Sequence, residues 1–93
     1  MLENNHKEKI YWLMDQYLSN KIDGWTFSDE YYKYYDLAEN LDLTPLESQL
    51  FAELSIIANR FTNIEEDLLK YPGTYFTEDQ LRQKIIAVKK ALS

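Results

Sequence analysis

TPLESQLFAELSIIANRF, residues 44–61, carries the clearest local instruction in the 93-residue chain. Thr44 is a hydroxyl residue of the kind that caps a helix N-terminus. Pro45 follows at the first helical position, where a missing N–H costs nothing, and Glu47 stands where its carboxylate can close a capping box. Leu46, Leu50, Leu54, Ile57, Ala58 and Phe61 recur at helical spacing, with Phe51 at the edge of their stripe. The spacing predicts a helix running to about Phe61.

The same period extends in both directions. Ile10, Leu13, Met14, Tyr17 and Leu18 predict a helix from Asn5 to Asn20. Asp23-Gly24 reads as a turn, after which Thr26 or Ser28 can cap a second helix reaching about Asn40. Phe27, Tyr31, Tyr34, Tyr35, Ala38 and Leu41 line its inner face. Thr62 to Tyr75 is the longest connection, holding a short helical turn through Leu68-Leu69 and a Pro72-Gly73 turn. The last helix opens at Thr77 with Gln80 completing a second capping box and Phe76 stapling onto Leu81. Its inner face is Leu81, Ile85, Val88 and Leu92, and Lys89 and Lys90 suit the negative end of its dipole. Four stripes and three connections predict an all-α chain, a small antiparallel four-helix bundle with residues 1–93 as one domain.

Composition agrees and narrows the function. Two glycines and two prolines with 45% hydrophobic residues exclude disorder, collagen-like repeats and many-stranded barrels. With no cysteine there is neither a disulfide framework nor a thiolate metal site, which fits a reducing compartment. The apolar run Ile10 to Met14 is too short for a signal-peptide core or a membrane span, so the expected location is cytoplasmic.

The net charge is −6, unevenly spread. From Asp23 to Asp79 thirteen acids face three bases, a balance of −10, and the two ends together carry +4. Phosphate binding needs basic clusters, so direct nucleic-acid binding is not expected for this middle region. It suits a basic protein surface, or simple solubility.

Catalytic chemistry finds little support. His6 is the only histidine, with no second His or Cys to complete a usual zinc set. A Gly-x-Ser-x-Gly elbow and a glycine-rich phosphate loop are both missing. Glu65-Glu66-Asp67 lacks the alternation and glycine of a calcium loop, and reads as a solvated charge run or a partner-contacting loop. Asp29, Tyr32, Asp36 and Glu39 share one outward stripe of the second helix, either an ordinary solvated face or a binding surface. Trp12 and Ile56 lie off the core stripes and permit an interface. No enzyme activity, metal or cofactor is expected.

Tyr17-Leu18-Ser19-Asn20-Lys21-Ile22, followed by Asp23, Phe27 and Tyr31, resembles the first helix, turn and second-helix start of the colicin D type of bacterial immunity protein. Glu53-Leu54-Ser55-Ile56-Ile57-Ala58-Asn59-Arg60-Phe61 is similar to that family's third helix, and Tyr75 with Glu78, Asp79, Leu81 and Arg82 to the start of its last. The resemblance implies a small four-helix bundle that covers the basic cleft of a ribonuclease toxin with acidic side chains, related proteins protecting cells that deploy contact-dependent growth-inhibition toxins. Where the family can place acids at the end of the third helix, this chain has Asn59, Arg60, Thr62 and Asn63. Its acids are displaced to Glu65, Glu66 and Asp67.

The expected contacts to the cognate toxin nuclease domain are therefore Glu65, Glu66 and Asp67, with Asp36, Glu39 and Asp42, and Tyr32 and Tyr71 as aromatic anchors. The chain alone is expected to be a monomer or weak dimer. The alternatives are a homodimeric interaction or regulatory module packing through Trp12 or Ile56, and the class that guards against membrane-active bacteriocins, whose members tend to be basic.

Overall fold

The computed structural model describes residues 6–38 and 41–93. Among the described residues there are five α-helices: α1 (His6–Leu18), α2 (Gly24–Tyr31), α3 (Pro45–Asn59), α4 (Glu65–Lys70) and α5 (Glu78–Leu92). A π-helical turn, Tyr32–Asp36, continues α2. Among the described residues there is no strand, only an isolated parallel bridge between Phe61 and Phe76. The all-α expectation holds, and four of the helices exceed seven residues.

Both capping boxes form. Thr44 Oγ1 accepts from the Glu47 N–H at 3.1 Å while Glu47 Oε1 accepts from the Thr44 N–H at 2.9 Å. Thr77 and Gln80 repeat the arrangement at the head of α5. The second helix departs from expectation: its cap is Asp23, whose Oδ1 accepts from the Thr26 N–H at 2.8 Å. That bond holds the Asp23 carboxyl below its ordinary range. The chain has already turned at Asn20, which sits at φ 61°, a conformation asparagine tolerates better than most residues. Gly24 is thus the first residue of α2 rather than part of a free turn.

One core joins α1, α2 with its π turn, α3 and α5. α3 packs most closely on α5 and also meets α2 and the π turn; α1 meets α2, the π turn and α5. Ile10, Leu13, Met14 and Tyr17 come from α1, and Leu81, Ile85 and Val88 from α5, all as the periodicity predicts. Phe27, Tyr31 and Tyr35, spaced by four residues, stack in sequence with centroid distances of 5.5 and 5.4 Å. The π turn ends at Leu37, whose N–H donates to the Tyr32 carbonyl at 3.1 Å and whose side chain is exposed.

α3 is rotated from the stripe its sequence suggests. Leu46, expected inside, is 47% exposed, Leu50 and Ile57 are only partly covered, and Phe51, expected at the edge, is fully buried. The cause lies in what α3 meets. The Phe51 ring is in edge contact with Tyr11 and Tyr35, and its carbonyl accepts the buried Tyr31 hydroxyl at 2.7 Å. One turn earlier Glu47 faces inward to Tyr11 and Lys7.

Gly24 is required by close approach. A Cβ there would stand 2.6 Å from the Phe61 ring and 2.9 Å from the Glu78 carboxylate, which itself accepts the Tyr17 hydroxyl. Gly24→Ala should therefore lower stability by about 1–3 kcal/mol, despite alanine's better helix propensity. Urea unfolding checks this.

Candidate functional site

The segment between α3 and α5 is tied at its base by backbone bonds. The Thr62 N–H donates to the Phe76 carbonyl at 2.9 Å, and the Phe76 N–H donates to the Arg60 carbonyl at 2.8 Å. These two bonds close the chain from 63 to 75 into a lobe. α2 supports the base: Trp25 Nε1 donates to Asn63 Oδ1 at 2.9 Å and the indole meets the Phe61 ring edge-on at 5.0 Å.

Inside the lobe lies α4. Six residues are too few for a helix to persist on its own, and α4 buries none of them. Its order comes from the buried Thr62, whose hydroxyl donates to Asp67 Oδ2 and accepts the Ile64 N–H, both at 3.1 Å. Three acids in the first turn suit the positive end of the helix dipole. The exit is a turn from Tyr71 to Thr74, with Pro72 second and Gly73 at φ 82° third, the arrangement that favours glycine.

This geometry sorts the sequence-predicted residues. Glu65 and Glu66 are exposed, and Glu66 is 3.8 Å from Lys70. Asp67 is partly covered and turned back to Thr62. Tyr71, 52% exposed, caps α4 and meets Tyr75 edge-on at 6.2 Å. Asp36 accepts from Asn59 Nδ2 at 2.9 Å, which ties the end of the π turn to the end of α3, three residues before Thr62. Tyr32 is exposed one turn earlier. Asp42 lies at the opposite end of α3, where Lys7 donates to its carbonyl at 3.3 Å and also pairs with Glu47. α3 spans about 22 Å at 1.5 Å per residue, so Asp42 is not brought together with the lobe. Glu39 lies outside the described residues.

Reading the sequence missed the apolar part of this surface. Ile64, Leu69 and Tyr75 are exposed on the same segment as Tyr71, and Tyr75 packs against it. The available signal was the Leu68-Leu69 pair in a helical turn too short to bury both. His6, for its part, packs edge-on against Tyr34 at 5.6 Å.

Among the described residues no three His, Asp or Glu side chains come together to hold a metal ion. None of the described helices is long and apolar enough to cross a membrane. In comparisons with known proteins, no family model, no curated protein and no solved structure matches the chain.

Proposed function

We propose that this chain is an inhibitor protein of the immunity type, a cytoplasmic partner that binds a cognate toxin nuclease domain and covers its basic, RNA-binding cleft. In this reading α1, α2 with its π turn, α3 and α5 form an antiparallel four-helix frame, and the surface at the C-terminal end of α3 is the contact face. The observation that carries it is the lobe, which presents Glu65 and Glu66 to solvent on a backbone tied at both ends. Asp36 is anchored toward the same end of α3. A pre-ordered acidic surface suits competition with RNA phosphates for a basic cleft, since fixed carboxylates pair with its Lys and Arg at little entropic cost.

Co-expression with a toxin domain encoded immediately upstream, followed by a growth assay and co-purification, tests the proposal. Rescue of growth with a stable complex supports it. No such toxin, or no rescue despite soluble, folded chain, overturns it in favour of the homodimeric module, for which Trp12 and Ile56 are half-exposed contacts. That module would show concentration-dependent mass.

The acids make a separate prediction. Glu65→Lys with Glu66→Lys should weaken the toxin complex by about tenfold or more, mainly through slower association, and should flatten its salt dependence. Melting should hardly move, because neither side chain is buried. Asp67 is kept out of this variant, since reversing it would break its bond to Thr62. Stopped-flow association at two salt concentrations reads the effect.

A further inference from the structure

Four of the eleven large hydrophobic residues exposed among the described residues fall between Ile64 and Tyr75. Leu69 is the most exposed of all at 74%, and Ile64 is 49% exposed. Scattered single apolar residues are ordinary on a protein surface, but four within the twelve positions 64–75 are not scattered along the chain. Leu69 finds no cover in its own helix, since α4 contributes no buried residue.

The charge around them narrows the occupant. Glu65 stands one turn before Leu69 on the same face of α4, and Glu66 is adjacent. Lys70, the one cation of α4, already has Glu66 within 3.8 Å. A second copy docked lobe to lobe, as a two-fold contact of this segment would require, would set acid against acid. Nucleic acid and anionic lipid surfaces are repelled for the same reason. A basic protein surface bearing an apolar pocket satisfies both halves of the lobe.

We infer that the lobe is an apolar anchor ringed by acids: Leu69 and Tyr71 insert into an apolar pocket of a basic protein, Glu65 and Glu66 pair at the rim, and Asp67 positions the lobe through Thr62 without touching the partner. This deepens the proposed function and rests on its reading of the partner as basic. Rim charges set association rate and specificity, while aromatic and aliphatic anchors in desolvated pockets carry most of the energy. Tyr71 adds a hydroxyl at the wet edge and is steadied by Tyr75.

Two arms test the inference, both on the full chain. In the first, the toxin domain encoded upstream is the probe. Leu69→Ala with Tyr71→Ala should weaken its complex at least thirtyfold through faster dissociation, with the melting temperature unchanged. Thr62→Val should weaken it less and leave its salt dependence intact, as a positioning role requires. A toxin complex unaffected by the Leu69 and Tyr71 changes overturns the inference while leaving the proposed function standing.

The second arm needs no toxin. A cationic amphipathic Lys–Leu peptide and a Lys–Ser peptide of equal charge are titrated into the labelled chain and followed by amide chemical shifts. Saturable shifts centred on residues 64–75 with the Lys–Leu peptide, absent with the Lys–Ser peptide and in the Leu69→Ala, Tyr71→Ala variant, support the inference even if the toxin reading fails. Shifts centred elsewhere, no response, or equal responses to both peptides overturn it.

Discussion

Phe51→Ala should lower the unfolding free energy by about 3–5 kcal/mol, and Leu46→Ala by less than about 0.5 kcal/mol. The two residues share one helix, and simple periodicity would rank them the other way. Phe51 is fully buried, and its ring closes the space between Tyr11 on α1 and Tyr35 on the π turn. Truncation removes transfer energy, two edge-on ring contacts and the packing above the Tyr31 hydroxyl bond, and leaves a cavity that fixed helices cannot fill. Leu46 is 47% exposed on the first turn of α3, where alanine is a good helix former. Domains of this size are stable by roughly 5–15 kcal/mol in all, so the Phe51 change should cost about 12 °C or more of melting temperature. Urea unfolding at matched m-values checks the pair. Equal losses at the two positions would mean that α3 is not rotated as described.

The second large effect centres on Glu47, the one buried acidic side chain among the described residues. Burial alone would raise its pKa. The Tyr11 hydroxyl at 2.6 Å, the Thr44 N–H at 2.9 Å and the Lys7 ammonium at 2.9 Å outweigh burial and bring it down to about 2, from an ordinary 4.5. Burial and the same carboxylate push the Tyr11 hydroxyl up to about 12, so it remains a donor at neutral pH. A depressed carboxyl pKa contributes stability that is complete above the unfolded value of 4.5 and is lost as pH falls through the folded value near 2. At pH 7 that contribution is on the order of 3 kcal/mol.

Glu47→Gln should therefore destabilise the chain by about 2–3 kcal/mol at pH 7, and the gap to the parent should close between pH 4.5 and pH 2. Glu47→Ala should cost more, because it also opens the capping box and leaves Tyr11 and Lys7 facing an apolar gap. Thermal melts at pH 7, 4 and 2 read both variants. A gap that stays constant with pH would show that Glu47 holds the helix head without an ionised carboxylate.

These effects are confined to the frame, and that separation makes the lobe testable. Glu65, Glu66, Leu69 and Tyr71 are exposed, and the lobe's order depends on Thr62, Asp67 and the two backbone bonds at its base. Their replacement can alter binding without unfolding the core.

Much of the frame was legible in residues 44–61 and 77–92. Thr44-Pro45-Leu46-Glu47 and Thr77 with Gln80 encode helix starts in bonds spanning only three residues, and such bonds need no tertiary partner. The inner faces of α1 and α5 were readable for a related reason: each has one apolar stripe at helical spacing, and the rest of the helix is mostly polar, with Trp12 and Ile86 as exposed exceptions. α3 is apolar on too many sides for its period to choose a face, so Phe51 and Leu46 exchanged places. The acids of the candidate site were legible as composition. Their grouping was not, because Asp36 reaches α3 through Asn59 across 23 positions of sequence, and Asp42 ends up at the far end of the same helix.

By itself, then, the sequence determined the all-α class, the capped starts of α3 and α5, the core stripes of α1 and α5 and the acidic middle of the chain. These arise from local hydrogen bonds, backbone preferences and charge, which act over a few residues. Tertiary structure decided the rotation of α3, the inward turn of Glu47, the withdrawal of Asp67 to Thr62 and the exposure of Leu69 and Tyr71. Each of those depends on which distant ring, hydroxyl or cation fills the neighbouring space, and packing supplies that only when the whole core closes at once.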